Sequence, residues 1–298
     1  MRSAAYFFDA FPRSRRPDYS RQRGAVTTGV VIVGGGLTGC ATALAFAGAG
    51  IDVVLLEAER IGAGATAASP GLLTQAPDAS FVDSVAQHGV RTSRHVWQSF
   101  RRASLDFSAA LRRAGIRADA VTQDLIVVAR DPDAARRLQK EATARREAGL
   151  ESSWLTGRAV AAESGLAASG GIRTKGEALD PYRACVGLAA SAAGKGALIH
   201  EQSRVRRIRA HRKAVEVTTE TGVVTASAVV IATGALPDDL RALRRHFAPV
   251  TSYAAVTQPM PAAVRREVGK RASAIRDTHA PPRLARWLKD DRVLVAGG

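Results

Sequence analysis

Few folds are open to a chain that contains the stretch from Val30 to Glu57. It reads VVIVGGGLTGCATALAFAGAGIDVVLLE. Val30-Val31-Ile32-Val33 is a β-branched run stopped by glycine, which predicts a short buried strand. Gly34, Gly36 and Gly39 form G-x-G-x-x-G, with Gly35 and Leu37-Thr38 between them. A helix should follow, with Ala43 as a small packing residue and Gly50 as its stop. A second strand, Val53 to Leu56, ends at Glu57. That acid falls roughly 20 residues past the glycines, the spacing of a dinucleotide site.

Each glycine then has a physical task. Gly34 turns the chain out of the strand, Gly36 lets backbone approach a pyrophosphate, and Gly39 lets helix pack on strand. The helix N-terminus offers unpaired N–H groups to phosphate. Glu57 can accept from a ribose hydroxyl, and its charge would repel a 2′-phosphate. The rival reading is a membrane span, since Val30 to Ile51 is uncharged and long enough to cross a bilayer. Three glycines near its middle, and a pattern that breaks into strand and helix, argue against a span.

Composition sets the remaining bounds. The 298 residues suit one large α/β domain or two interleaved ones. The net charge is +16, but the Arg residues are scattered, with no Lys-rich tail and no aromatic stripe. No specific nucleic-acid partner is therefore expected, and attraction of an anionic substrate is the milder reading. Two cysteines, Cys40 and Cys185, give neither a disulfide framework nor a metal spacing. Cys40 reads as a packing residue in the first turn of the helix. The six histidines form no ligand-spaced pair, so no metal is expected. Residues 1–24 are Arg-rich and lack an apolar core segment. They read as an extended arm rather than a secretory signal, and a cytoplasmic location is expected.

Further along, residues 62–71 form a loop of small residues, where Ala65, Thr66 and Ser69 can approach a ligand and two hydroxyls can donate. Helical spacing over 81–115 places Phe81, Val85, Val96, Phe100, Leu105, Phe107 and Leu111 inward and Arg outward. Leu125 to Ala129 reads as a strand, and Asp131-Pro132-Asp133 opens a helix running to Ala148. A second helix follows Leu179-Asp180-Pro181 and runs to about Ala193. Strands are expected at 197–200, 205–209, 215–219, 223–226 and, buried, at 228–231, with a turn at Glu220-Thr221-Gly222. The last of them ends in Thr233-Gly234, a second place where backbone can meet a cofactor at a strand's carboxyl end. A proline-broken strand lies within 249–261 and a final strand at 292–296.

The glycine motif, the small-residue loop, Leu179-Asp180-Pro181, Val205 and Ala232-Thr233-Gly234-Ala235 together resemble the D-amino-acid oxidase family of FAD-dependent oxidoreductases. PVTSYAAVTQPMP and DDRVLVAGG resemble its glycine or sarcosine oxidase and gamma-glutamylputrescine oxidase branch. The resemblance runs from about Val30 to Gly298. It implies an α/β fold, with a Rossmann-like FAD-binding domain assembled from 25–90, 176–235 and 291–298. An interleaved antiparallel-sheet substrate domain would come from 91–175 and 236–290. FAD would lie with its pyrophosphate on Gly34, Gly35, Gly36, Leu37, Thr38 and Gly39, and its ribose on Glu57. Val205 would meet the adenine through its backbone, and Thr233-Gly234 would line the cofactor.

The implied reaction oxidises the C–N bond of a small amine or amino acid by hydride transfer to the flavin, with oxygen or another electron acceptor closing the cycle. Residues 62–80 hold no Arg, Lys or His, so the flavin should be non-covalent. Tyr253 and Arg286 are the candidate substrate contacts: a phenol in the substrate sheet and a guanidinium suited to a carboxylate. Their bland readings are a half-buried strand tyrosine and a solvated arginine. Family members continue for several tens of residues past the final Gly-Gly, so the chain is expected to be short of that tail. Two other readings stay open: a truncated or degenerate flavin-binding protein without catalysis, and an NAD-linked dehydrogenase, which Glu57 also suits.

Overall fold

The computed structural model describes residues 5–234, 245–248 and 250–297. Ala235, Pro249 and Gly298, which belong to the motifs above, lie outside the described residues. In chain order the elements begin with α1 (Tyr6–Ala10), β1 (Gly24–Val33), α2 (Leu37–Gly48), β2 (Val53–Leu56), α3 (Ala65–Ala68), β3 (Leu72–Thr74) and α4 (Phe81–Arg113). Next come β4 (Val121–Thr122), β5 (Asp124–Ala129), α5 (Pro132–Glu147), β6 (Ser153–Thr156), α6 (Gly157–Ser164), β7 (Gly170–Thr174), β8 (Gly176–Ala178) and α7 (Pro181–Ala193). The remainder are β9 (Leu198–His200), β10 (Arg207–Ala210), β11 (Val215–Thr218), β12 (Gly222–Ile231), β13 (Tyr253–Val256), α8 (Ala262–Arg265), β14 (Ser273–Asp277), β15 (Leu284–Trp287) and β16 (Val293–Gly297). They fall into two compact units.

The first unit comprises Met1–Ser69, Leu111–Asp119 and Asp180–Val250. Its six-stranded sheet runs β10-β11-β12-β1-β2-β9. Strands β12, β1, β2 and β9 are parallel, and β10 and β11 return antiparallel at one edge. Both β1 and β2 end in fully apolar runs, as strands buried on both faces must. Val31, Val33, Val54, Leu56, Val217 and Val224 form one core cluster. Helices α2 and α7 pack on each other. The packed residues are small (Gly39, Cys40, Ala43 and Ala47 on α2, Ala184, Cys185, Ala189 and Ala192 on α7), which allows the axes to approach. Asp180 starts α7 by accepting from Arg183 N at 2.9 Å, with Pro181 at the first helical position. The expected arm holds a short helix, and Phe8 and Phe11 meet Tyr182 edge-on.

Two expectations for this unit change. Residues 223–226 and 228–231 are one strand, because β12 pairs with β1 along its whole length, from Gly222 to Ile231. Its outer half is not buried: Ser227, Ala228 and Ile231 are exposed. Val205 lies ahead of its strand rather than in it, since antiparallel pairing begins at Arg207 opposite Thr218.

The second unit comprises Pro70–Ala110, Ala120–Leu179 and Thr251–Gly298. Its seven-stranded sheet runs β13-β16-β15-β14-β5-β7-β6, with β14 and β5 the parallel pair. A small antiparallel sheet runs β3-β8-β4. Helix α5 opens on Asp131, which accepts from Ala134 N at 2.8 Å, and closes at Gly149 with φ +71°.

Here the structure corrects the domain boundaries. Strand β16 was expected with the nucleotide half, yet it pairs antiparallel with β13 and β15 in this sheet. Residues 70–90 also belong to this unit. The inward face of α4 differs as well. Phe81 and Leu111 are buried as expected, but Val96, Phe100 and Leu105 are 41–46% exposed, whereas Ser93, Trp97, Ser104 and Ser108 are buried. The helix is broken at Gly89, with φ 77° and ψ 159°, so a periodicity counted from Phe81 loses its phase there. Serine also serves where a neighbour is polar: Ser108 Oγ donates to Glu177.

Candidate functional site

Parallel strands β12, β1 and β2 end side by side, and their carboxyl ends bound a cavity of about 540 Å³. This is where open α/β sheets hold ligands. Gly34, Gly36, Leu37 and Thr38 form one wall, Thr233 and Gly234 another, and Glu57, Ala65 and Thr66 a third.

The glycines are explained by contact. Gly34 has φ +108°, and a Cβ there would lie 2.5 Å from Ala232 O. A Cβ on Gly39 would sit 1.9 Å from Gly34 O, so that position closes the helix onto the turn and does not face the cavity. Gly36 is different: only Thr66 Oγ1 would stand near a Cβ, at 3.3 Å. Its missing side chain leaves room for a ligand rather than for the protein's own backbone. Gly35 lies outside the lining too, since its N–H is donated to Glu57 and a Cβ would meet Ile61 Cδ1 at 2.5 Å.

Glu57 is held from both sides. Its Oε2 accepts from Gly35 N at 2.6 Å and its Oε1 from Glu59 N at 2.8 Å. A carboxylate oriented by backbone keeps further lone pairs for a ligand hydroxyl. Thr66 Oγ1 accepts from Leu37 N at 3.0 Å, so α3 supplies the cap that Gly36 cannot. Thr38, one residue further on, has no carbonyl in its own helix for its N–H and lines the cavity. Backbone donors at the start of a helix, glycine-walled space and a fixed acid together fit the diphosphate and ribose of a dinucleotide.

Arg60, Ile231 and Phe247 line the cavity without having been read from the sequence, alongside Gly62 and Gly64 of the small-residue loop and Ala232 of the strand-end motif. Arg60 could have been found as the cation three residues past the ribose acid. Phe247 carried no signal. Ser69 caps α3 through its N–H to Thr66 O at 3.2 Å and does not line the cavity. Val205 packs on the core cluster and is not among the lining residues. Cys40 and Cys185 meet beneath the motif, Sγ to Sγ at 3.6 Å, both fully buried. The Cys185 thiol and burial together push the Cys40 thiol well above its ordinary value, as expected of a packing residue.

Glu201 stands behind Arg60. It is 3% exposed and accepts from Ile61 N at 2.7 Å, with Arg60 Nη1 at 3.8 Å. Burial pushes its carboxyl above the ordinary 4.5. A raised acid stabilises the fold fully below its unfolded value and loses that contribution as pH rises through the folded value. Relative to Glu201→Gln, the native chain should therefore lose melting temperature as pH is raised from 4.5. A difference curve that rises or stays flat would reject this assignment.

The substrate candidates lie in the second unit. Tyr253 is on strand β13 and 74% exposed, not half-buried. Arg286 is 5% exposed, and its guanidinium donates to the carbonyls of Pro70, Trp287 and Leu179. It staples the loop after Ser69 to β15, which corrects both the reading as a carboxylate clamp and the solvated alternative. Among the described residues no group of three or more His, Cys, Asp or Glu could hold a metal ion. Nor is any described helix long and apolar enough to cross a membrane.

Comparison with known proteins adds the following. Residues 29–298 match the model of the DAO family, described as FAD dependent oxidoreductase. Gamma-glutamylputrescine oxidoreductase of Escherichia coli K12 is 26% identical over 278 residues, covering 92% of this chain and 65% of that protein. A probable oxidoreductase of Haemophilus influenzae is 24% identical, covering 89% of this chain and 63% of its own length. The chain thus spans just under two thirds of these relatives. Among solved structures, glycine oxidase from Geobacillus kaustophilus superposes with a TM-score of 0.68 at 23% identity, covering 91% of this chain and 70% of that one. L-Amino acid deaminase from Proteus myxofaciens gives 0.69 at 17% identity, covering 95% and 61%. At these identities the structures establish a shared fold.

Proposed function

Since the chain belongs to the DAO family of FAD-dependent oxidoreductases, we propose that it holds FAD non-covalently at the glycine motif and oxidises the C–N bond of a small amine or amino acid. The observation that carries this reading is the cavity at the ends of β12, β1 and β2, with Gly36 open to it and Glu57 fixed beside it. The family is FAD dependent, which sets the NAD-linked alternative aside.

In this reading Thr38 N–H and the start of α2 hold the diphosphate. Glu57 accepts from the adenosine ribose, and Arg60, the one cation lining the cavity among the described residues, offsets phosphate charge. Thr233 and Gly234 line the cofactor from β12. When bound, FAD supplies the acceptor for the hydride that leaves the carbon beside the amine, and oxygen or another acceptor then takes the electrons. Water hydrolyses the resulting imine of the substrate. No side chain needs to act as nucleophile; this chain's residues bind and orient.

The names of the relatives support an amine or amino acid as the substrate class: one is an oxidoreductase of gamma-glutamylputrescine, another a glycine oxidase. The test is an absorption spectrum of the purified chain, before and after FAD is added and the excess removed. Flavin bands should survive, and a panel of amines and amino acids should bleach them without oxygen. A colourless protein would reject FAD retention by these residues. Retained colour that no amine or amino acid bleaches would leave a flavin-binding protein without this catalysis.

A further inference from the structure

The second unit holds a cleft of about 790 Å³ that the proposed chemistry does not use. One wall is α5, the other the turn from β14 to β15, Asp277 to Pro282. Val127, Ile172 and Leu138 supply apolar lining.

The charges in the cleft are not evenly satisfied. Glu141 pairs with Arg145 at 2.7 Å, and Asp78 pairs with Arg276. Asp277 accepts from His279 N and Arg283 N and contacts the His279 ring at 2.8 Å. Asp83 lies in the first turn of α4, where the helix N-terminus favours a carboxylate. Arg137 and Lys140 remain. They are three residues apart on α5, so they share a face, and among the described residues neither has an ion pair. Arg276 also lines the cleft, with its guanidinium held by Asp78.

We propose that this cleft binds an organic anion, a carboxylate on a short apolar body. Arg137 and Lys140 take the carboxylate. Val127, Leu138 and Ile172 take the body. The chemistry that recognises it is a fatty or aryl carboxylate, independent of the dinucleotide cavity in the first unit.

Calorimetric titration of the full chain tests this, with hexanoate as probe, acetate as the short anion and hexylamine as the cation of equal length. Each titration is run with and without FAD. Hexanoate should bind saturably and equally in both conditions, more tightly than acetate, while hexylamine should not bind. The double variant R137A/K140A changes two exposed side chains, so its melting temperature should hold while hexanoate binding weakens at least tenfold. Competition by FAD would place the carboxylate in the dinucleotide cavity and overturn the proposal. Unsaturable binding, equal binding of acetate or hexylamine, or unchanged affinity in the double variant would overturn it as well. Because FAD retention is read separately by colour, failure here is distinguishable from failure of the oxidoreductase reading.

Discussion

Gly39→Ala should unfold the first unit's cavity and remove FAD retention together, whereas Gly36→Ala should remove retention alone. The two positions belong to one motif, but the contacts divide them. An added Cβ at Gly39 meets Gly34 O at 1.9 Å. That atom is backbone at the end of β1, itself fixed by Gly34 N donating to Leu56 O at 2.8 Å. Neither side can yield without moving α2 off the sheet. The cost should reach about 3 kcal/mol or more, the upper end for overpacking. Gly36 has φ −74°, which any residue adopts, and its nearest obstacle is a threonine hydroxyl at 3.3 Å. Alanine there should leave denaturant stability within about 1 kcal/mol of the parent. Its methyl would occupy the space a diphosphate needs, so FAD affinity should fall at least tenfold. Urea unfolding and flavin absorbance on both variants decide the matter. If Gly36→Ala retains FAD normally, the assignment of this wall to the diphosphate is wrong.

Glu141→Ala should be the most damaging single change in the second unit. Glu141 is 6% exposed and serves four partners. It accepts from Phe81 N at 2.7 Å, Val82 N at 3.0 Å and Ser80 Oγ at 3.1 Å, so a side chain of α5 caps the start of α4. It also pairs with Arg145, which is 8% exposed and lies 6.0 Å from the Trp97 ring. Removing the carboxylate strands a buried guanidinium and uncaps a helix. Breaking such a pair costs about 3–5 kcal/mol. Glu141→Gln keeps an acceptor for Phe81 N but not the charge facing Arg145, and should fall between alanine and the parent. Urea unfolding followed by tryptophan fluorescence provides the measurement. A loss under about 1 kcal/mol for the alanine variant would show that Arg145 finds another partner or reaches water.

Legibility in this chain follows the range of the forces involved. Helices α5 and α7 were readable because their caps, Asp131-Pro132 and Asp180-Pro181, act within one turn. Strands β1 and β2 were readable because burial on both faces demands unbroken apolar runs. Helix α4 was readable as a helix but not by face, since Gly89 shifts its phase and serine replaces apolar residues where Glu177 and Ser84 approach. Strand β16 has no property in its own sequence that assigns it to one sheet. Its place was set by β13 and β15, whose registers match it on both sides.

The sequence by itself determined the turn at the glycine motif. G-x-G-x-x-G between an apolar strand and a helix, with Glu57 at the end of the next strand, allows one local geometry, because Gly34 and Gly39 leave no room for a side chain. Only the tertiary structure decided what individual charged side chains do. Arg286 and Arg137 are alike in sequence, each one arginine among many. In the fold, Arg286 spends its donors on the carbonyls of Pro70, Trp287 and Leu179, while Arg137 stands without an ion pair among the described residues beside a cleft. A guanidinium's role depends on which acceptors surround it, and two of the three here, the carbonyls of Pro70 and Leu179, come from segments more than a hundred residues away.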